Sequence, residues 1–244
     1  MLFNSALYLF AFLPVTVIGY FWTLINPLLM MSVTAFVFST LFKVPLREYA
    51  VFLFSGMIAW NSFNSTVFQS CYSFINNEGL IKKIYLPKML FPLSVSMGTA
   101  IDTVLSFVSL FIIILVLGGK FSPALLILPL SFVLLFVFTF GIGLIMSVLT
   151  VFFRDLLYLI TVLLQAMFFL TPVLYEKTMM LGPAAVLMKI NPMVPFIDLF
   201  RAPLAYGHLP ATASLVSAGV FAVLSLAVGM WVFTANEKKI IYRL

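Results

Sequence analysis

The chain has 244 residues, 64% of them hydrophobic and 8% charged, with a formal net charge of +6 and a mean hydropathy of +1.23. A soluble domain carries roughly 25% charged residues, so this composition leaves too little polar surface for water and implies a polytopic membrane protein of one domain, residues 1–244. Single copies of cysteine (Cys71) and histidine (His208) exclude a disulfide framework and a cysteine zinc site, and they remove most metal and acid–base schemes.

The apolar runs are continuous rather than alternating over about ten residues, which predicts an all-α membrane fold rather than a barrel. No charge occurs from Met1 to Phe42. Tyr20 to Phe42 reads as the first span, and Leu2 to Val17 as a segment lying along the membrane surface. A secretory signal peptide is not expected, because the start lacks a basic region and an obvious small-residue cleavage site. Lys43 to Glu48 forms a charged turn. The second span, Tyr49 to Gln69, has an apolar first half followed by Asn61, Ser62, Asn64, Ser65, Thr66 and Gln69. Amides are costly in lipid, so this half should face protein or water. Asn76 to Lys88 is the most polar internal segment. It reads either as a solvated loop or as a short amphipathic helix, with Ile81, Ile84 and Tyr85 at helical spacing, Lys82 and Lys83 on other faces, and Pro87 to end it.

The third span, Pro92 to Leu117, carries Asp102 near mid-depth. An Asp there costs roughly 2.5–3.5 kcal/mol, which the apolar neighbours outweigh. Ser94, Gly98, Asp102 and Ser106 recur every four residues, a small polar face suited either to close helix packing or to a translocation path. Gly118-Gly119-Lys120 makes the next turn. It is not a phosphate-binding loop, since Phe121 stands where Ser or Thr must hold magnesium and Ile114 where the first glycine must be. The fourth span, Ala124 to Phe152, has a packing face of Gly141, Gly143 and Ser147.

After the charge pair Arg154-Asp155, about twenty residues run without Asp, Glu, Lys or Arg, enough to cross a hydrocarbon core roughly 30 Å thick. Along this fifth span Tyr158, Thr161, Gln165, Phe168 and Pro172 fall on one helical face, which either packs against neighbours or lines a path for something polar. Thr171 to Gly207 holds Pro172, Pro183, Pro192, Pro195 and Pro203 yet stays apolar, which predicts two short re-entrant helices. The last span is Ala211 to Thr234, followed by a basic tail. Six spans put both ends on one side. With the ends in the cytoplasm, Lys82, Lys83, Lys88, Arg154, Lys238, Lys239 and Arg243 lie inside. Lys43, Arg47, Lys120, Lys177, Lys189 and Arg201 then lie outside, so the inside excess rests on the clusters at 82–88 and 238–243.

Phe152-Phe153-Arg154-Asp155, Gln165, Phe168-Phe169-x-Thr171-Pro172-Val173-x-Tyr175, Asn191-Pro192-Met193 and Arg201 form an ordered set. In this membrane setting the set resembles the membrane subunits of ABC-2 type polysaccharide exporters. The resemblance runs from about Ile18 to the C-terminus. Ile18-Gly19-Tyr20-Phe21-Trp22 resembles that family's Leu-Gly-x-x-Trp start to its first helix, with Ile18 in place of Leu. Upstream the chain reads ALYLFAFLPV, where the family tends to have a basic amphipathic segment.

The resemblance implies export of a lipid-linked chain such as O-antigen, capsule or teichoic acid across the bacterial cytoplasmic (inner) membrane. It implies a separate ABC ATPase in two copies that binds ATP and magnesium, with no cofactor or metal in this chain. It also implies that the 76–88 segment is a coupling helix docking on that ATPase through Glu78, Ile81, Lys82, Ile84 and Tyr85. Arg154 and Asp155 at the same face either hold the neighbouring spans in register or form a simple surface charge pair. One chain is too small to enclose a wide conduit, so a homodimer is expected. A sugar chain has polar hydroxyls and apolar C–H faces, so its path should pair aromatics with a few amides. Tyr20, Trp22, Trp60, Phe63, Asn64, Gln165, Phe168 and Phe169 fit that description. The alternatives are an ABC-2 permease for a drug or lipid, and an intramembrane enzyme. The enzyme reading lacks any nucleophile or metal constellation, and no nucleic-acid partner is expected.

Overall fold

The computed structural model describes residues 29–84, 86–116, 122–179 and 182–243. Among these the chain is helical, with no strand. The helices are α1 (Leu29–Phe42), α2 (Leu46–Tyr72), α3 (Glu78–Lys83), α4 (Leu90–Val116), α5 (Leu128–Phe152), α6 (Leu156–Leu170), α7 (Pro183–Ile190), α8 (Met193–Arg201) and α9 (Thr212–Arg243).

Three segments are long and apolar enough to cross a membrane: Leu90–Leu115, Pro123–Phe152 and Thr212–Arg243. This makes the chain a multi-pass membrane protein. α2 has 27 residues, about 40 Å at 1.5 Å per residue, but its second half is polar. α1 and α6 are apolar and shorter. α6, in the expected fifth span, stops at Leu170 rather than running through the whole charge-free stretch. Thr171 precedes Pro172, and its φ of −97° and ψ of 132° are the extended values that a following proline imposes. The last helix continues past Thr234 to Arg243 and absorbs the basic tail.

α2 lies at the centre. Two contacts tie its polar half to neighbours: Thr66 and Thr99 share a 2.7 Å hydroxyl hydrogen bond, and the Thr150 hydroxyl donates to the Cys71 carbonyl at 2.8 Å. The packing face expected on α5 divides between two partners. A Cβ on Gly143 would come within 2.6 Å of Ser70 Oγ on α2, and one on Gly141 within 2.4 Å of the α9 backbone at Ser225. A Cβ on Gly229 would come equally close to the Gly141 carbonyl oxygen, so α5 and α9 touch backbone to backbone. α8 is enclosed on nearly every side, with Phe196, Ile197, Leu199 and Phe200 fully buried and Phe196 stacked on Phe138 at 4.6 Å.

The α4 face behaves differently from the packing expectation. Ser96, Thr99, Thr103, Phe107 and Leu110 turn inward, whereas Ser94, Gly98 and Asp102 are exposed and a Cβ on Gly98 would meet nothing within 4 Å. The inward hydroxyls and aromatics offer α2 and α5 the better contact surface, so among the described residues no helix covers the Asp102 face.

Candidate functional site

The turn after α6, Thr171 to Tyr175, is held by side chains from three other elements. Arg201, 3% exposed at the end of α8, donates through its two terminal nitrogens to the carbonyls of Pro172 (2.8 Å) and Val173 (2.9 Å). The Tyr49 hydroxyl at the start of α2 donates to the next carbonyl, Leu174, at 2.7 Å. The guanidinium carbon lies 3.7 Å from the centre of the Phe52 ring, and Gly56 leaves room for it: a Cβ there would sit 2.6 Å from a guanidinium nitrogen. Asn191, between α7 and α8, donates to the Thr171 hydroxyl at 2.8 Å and accepts from the Met193 backbone N–H at 2.9 Å. A proline-broken strand of backbone leaves consecutive carbonyls without helical partners, and a planar fork with several donors is well shaped to satisfy two of them. Thr171-Pro172-Val173, Asn191-Pro192-Met193 and Arg201 are therefore parts of one clamp.

The clamp fixes the end of α6 beside α2, and a cavity of about 590 Å³ opens between those two helices. Trp60, Asn64, Phe68, Thr161, Gln165, Phe168 and Phe169 line it. Trp60 and Phe168 are 5.6 Å apart, Phe168 and Phe169 5.5 Å. Five of the residues expected along a sugar path, Trp60, Asn64, Gln165, Phe168 and Phe169, thus meet at one place. Phe63 sits differently: it is 5% exposed and stacks on Phe138 at 5.7 Å, on the core side of α2. Tyr20 and Trp22 lie outside the described residues. Phe68 and Thr161 were not among the expected lining, although Trp60, Asn64 and Phe68 recur every four residues and Thr161 lies on the α6 stripe. The outer face of α6 is open, with Tyr158 79% and Phe169 67% exposed and only Ile160 and Leu164 buried.

At the other end of α2 lies the expected coupling segment. α3 forms over Glu78–Lys83, and Ile84 is already extended. Ile81 turns inward, 8% exposed, into a cluster with Phe74, Phe91, Val148 and Ile240, so it anchors α3 to the body instead of projecting from it. The exposed apolar residues are Leu80 and Ile84. A six-residue helix has one buried stripe, and packing on the body claims it for Ile81. Tyr85 lies outside the described residues. Lys82 Nζ is 2.5 Å from Glu78 Oε1, and this hydrogen bond holds the Glu78 carboxyl below its ordinary value. Arg154 and Asp155 are both exposed in the α5–α6 turn, where the Asp155 carbonyl, not its carboxylate, accepts from the backbone N–H groups of Tyr158 and Leu159. Asp102 is remote from both regions in sequence and faces outward on α4.

Residues 9–205 match the model of the ABC-2 type transporter membrane family. The chain is 32% identical over 189 residues to the O-antigen export system permease protein RfbA of Klebsiella pneumoniae, covering 76% of this chain and 72% of that protein. It is 25% identical to the O-antigen export system permease protein RfbA of Myxococcus xanthus, over 91% of this chain and 86% of that one. Similarity also extends to the polysialic acid transport protein KpsM of Escherichia coli, at 23% identity over 91% and 87% of the two chains. With its helical membrane fold and a family match over most of its length, the chain belongs to the ABC-2 type transporter membrane family.

Proposed function

We propose that residues 1–244 form one permease domain, the membrane subunit of an ATP-driven exporter that moves a lipid-linked, O-antigen-like polysaccharide across the bacterial cytoplasmic membrane. The observation that carries this reading is the cavity between α2 and α6, where two amides stand among four aromatic rings. Sugar C–H faces stack on such rings while amides exchange hydrogen bonds with passing hydroxyls. Among the described lining residues none is charged, which lets the cargo leave as readily as it enters. The family membership and the O-antigen and polysialic acid relatives support the same class of cargo.

The open outer face of α6 supports a second copy of the chain as the missing wall of the conduit. Six spans, with α7 and α8 dipping back from the outer side, give both termini a cytoplasmic position. α3 then faces the cytoplasm, with Leu80, Ile84, Lys82 and Glu78 available to an ABC ATPase that holds the ATP and magnesium in two copies. Arg154 and Asp155 lie at the same membrane face.

The test is export in cells that carry the chain with an ABC ATPase from the same genome. Surface glycan should disappear, and its lipid-linked form accumulate inside, when the chain is deleted. Ala at Trp60, Phe168 and Phe169, each introduced singly, should lower export in variants that still assemble with the ATPase. Parental export in all three would put the conduit elsewhere. Unchanged surface glycan after deletion, with retention of a drug or lipid instead, would move the chain to another cargo class.

A further inference from the structure

A second cavity, of about 570 Å³, lies at the end of α2 opposite α3. Its volume falls within the roughly 300–1,000 Å³ of small-molecule clefts. Three tyrosines, Tyr49, Tyr175 and Tyr206, and three charged side chains, Arg47, Glu48 and Glu176, are among its lining. Tyr206 is 51% exposed and lines the cavity together with Glu176, while the His208 ring stacks behind it at 5.7 Å. The Tyr49 hydroxyl is committed to Leu174, so that side chain offers the cavity its ring rather than its donor.

The lining narrows the ligand class. An apolar molecule would desolvate three charged groups without replacing their water contacts. Among the described lining residues an anion would meet two carboxylates and one guanidinium. A neutral polyol satisfies both halves of the surface: carboxylates accept from adjacent hydroxyls, and tyrosine rings take the C–H face. The cavity also adjoins the conduit. Phe169 lines the first cavity, Tyr175 lines the second, and the Tyr175 hydroxyl donates to the Phe169 carbonyl at 2.7 Å. The end of α6 thus lines the first cavity, the clamped turn that follows it lines the second, and this hydrogen bond ties the two.

We propose that this cavity is a second saccharide site, which takes a short neutral oligosaccharide segment on the far side of the clamped turn from the conduit. It rests on the glycan-export reading and adds to it a place where the emerging chain is held. Holding the chain there would oppose its slipping back between transport strokes.

The experiment uses the full chain assembled with its ATPase in lipid nanodiscs, with a nitroxide on Leu209→Cys. Leu209 is 64% exposed and two residues beyond Gly207 of the cavity lining, and the native Cys71 is fully buried. Maltotriose and trigalacturonate are added as probes, and broadening of their proton resonances is measured. Maltotriose should broaden, and Tyr206→Ala or Glu176→Ala should each reduce that broadening at least fivefold. Both sites are exposed, and assembly is checked by size-exclusion chromatography. Trigalacturonate should be unaffected. Sharp maltotriose resonances, broadening that survives both substitutions, or equal broadening of trigalacturonate would overturn the proposal. Surface display of glycan from cells carrying the unlabelled chain separates the two levels. Display without broadening defeats only this cavity, and no display defeats the export reading itself.

Discussion

α5 and α6 are neighbours in sequence and alike in apolarity, yet they meet the rest of the protein in opposite ways. α5 brings Gly141 against Gly229 of α9 so closely that neither position has room for a methyl group. α6 has no glycine or serine, and it buries only Ile160 and Leu164. In lipid, where large apolar side chains gain little by leaving the solvent, small residues are what let two backbones approach and gain dispersion contacts. The α5–α9 seam is closed within the chain. The α6 side stays open and carries the rings and amides expected of a transport path. Hydropathy alone cannot separate the two helices; side-chain size does.

The largest effect should come from the clamp that holds the open side in place. Arg201→Ala removes two charge-assisted hydrogen bonds and the ring contact with Phe52, and should cost on the order of 3 kcal/mol. Thermal melting of the detergent-solubilised protein measures the loss, and export should cease. Arg201→Lys should recover less than half of it, because a point ammonium does not reproduce the planar fork. If export survived Arg201→Ala, the α5–α9 seam alone would be holding the path.

The seam itself is the next place to press. Gly141→Val and Gly229→Val should each lower stability by about 1–3 kcal/mol through overpacking. Gly98→Ala, on the open face of α4, should lower it not at all. Equal melting temperatures for the Gly98 and Gly141 variants would erase the distinction between closed and open faces.

On the open side, function and stability should come apart. Phe169→Ala truncates a ring that is 67% exposed, so its melting should shift by less than about 0.5 kcal/mol while surface glycan falls severalfold. A matched loss of stability would show that Phe169 is packing rather than lining.

The smallest effect belongs to Glu78. Its carboxyl is held below the ordinary range by Lys82, so the pair's contribution is complete above the ordinary glutamate pKa of 4.5 and fades only as pH falls through the lowered folded value. Glu78→Gln should leave the pH dependence of coupling between ATP hydrolysis and export unchanged across pH 6–8, the range over which hydrolysis would be followed. A pH-dependent change in that interval would mean that Glu78 meets another titrating group on the ATPase.

The all-α membrane class and the grouping of rings and amides between α2 and α6 were legible because helical period and charge-free length act over neighbouring residues. Trp60 and Asn64 on α2, and Gln165 and Phe168 on α6, could be paired by spacing alone. Phe63 shows the limit of that reasoning, since a ring three residues from Trp60 can turn to either side, and Phe138 and Trp60 already present a surface for it. Ile81 shows the same limit, as amphipathicity marks the apolar stripe but not which body it meets, and here it packs on Phe74 and its neighbours. The clamp was visible only as a set of motifs. Its donors lie 28 and 29 residues from their acceptors at Arg201, and 125 at Tyr49, distances that no periodicity spans.

The clamp also sets an order of events during synthesis. Arg201 follows Pro172 by 29 residues, so at about 5–20 residues per second a ribosome needs roughly 1.5 to 6 s to supply it. Throughout that interval the carbonyls of Pro172 and Val173 are without the donor that the finished protein gives them. Bare carbonyls are costly in hydrocarbon, so the nascent α6 must wait with that end at the water boundary or in the care of the insertion machinery. Its final seating is a late step of biogenesis, and a nascent chain halted before Arg201 is expected to leave α6 unanchored, accessible to membrane-impermeant labels at the end that the completed protein seals.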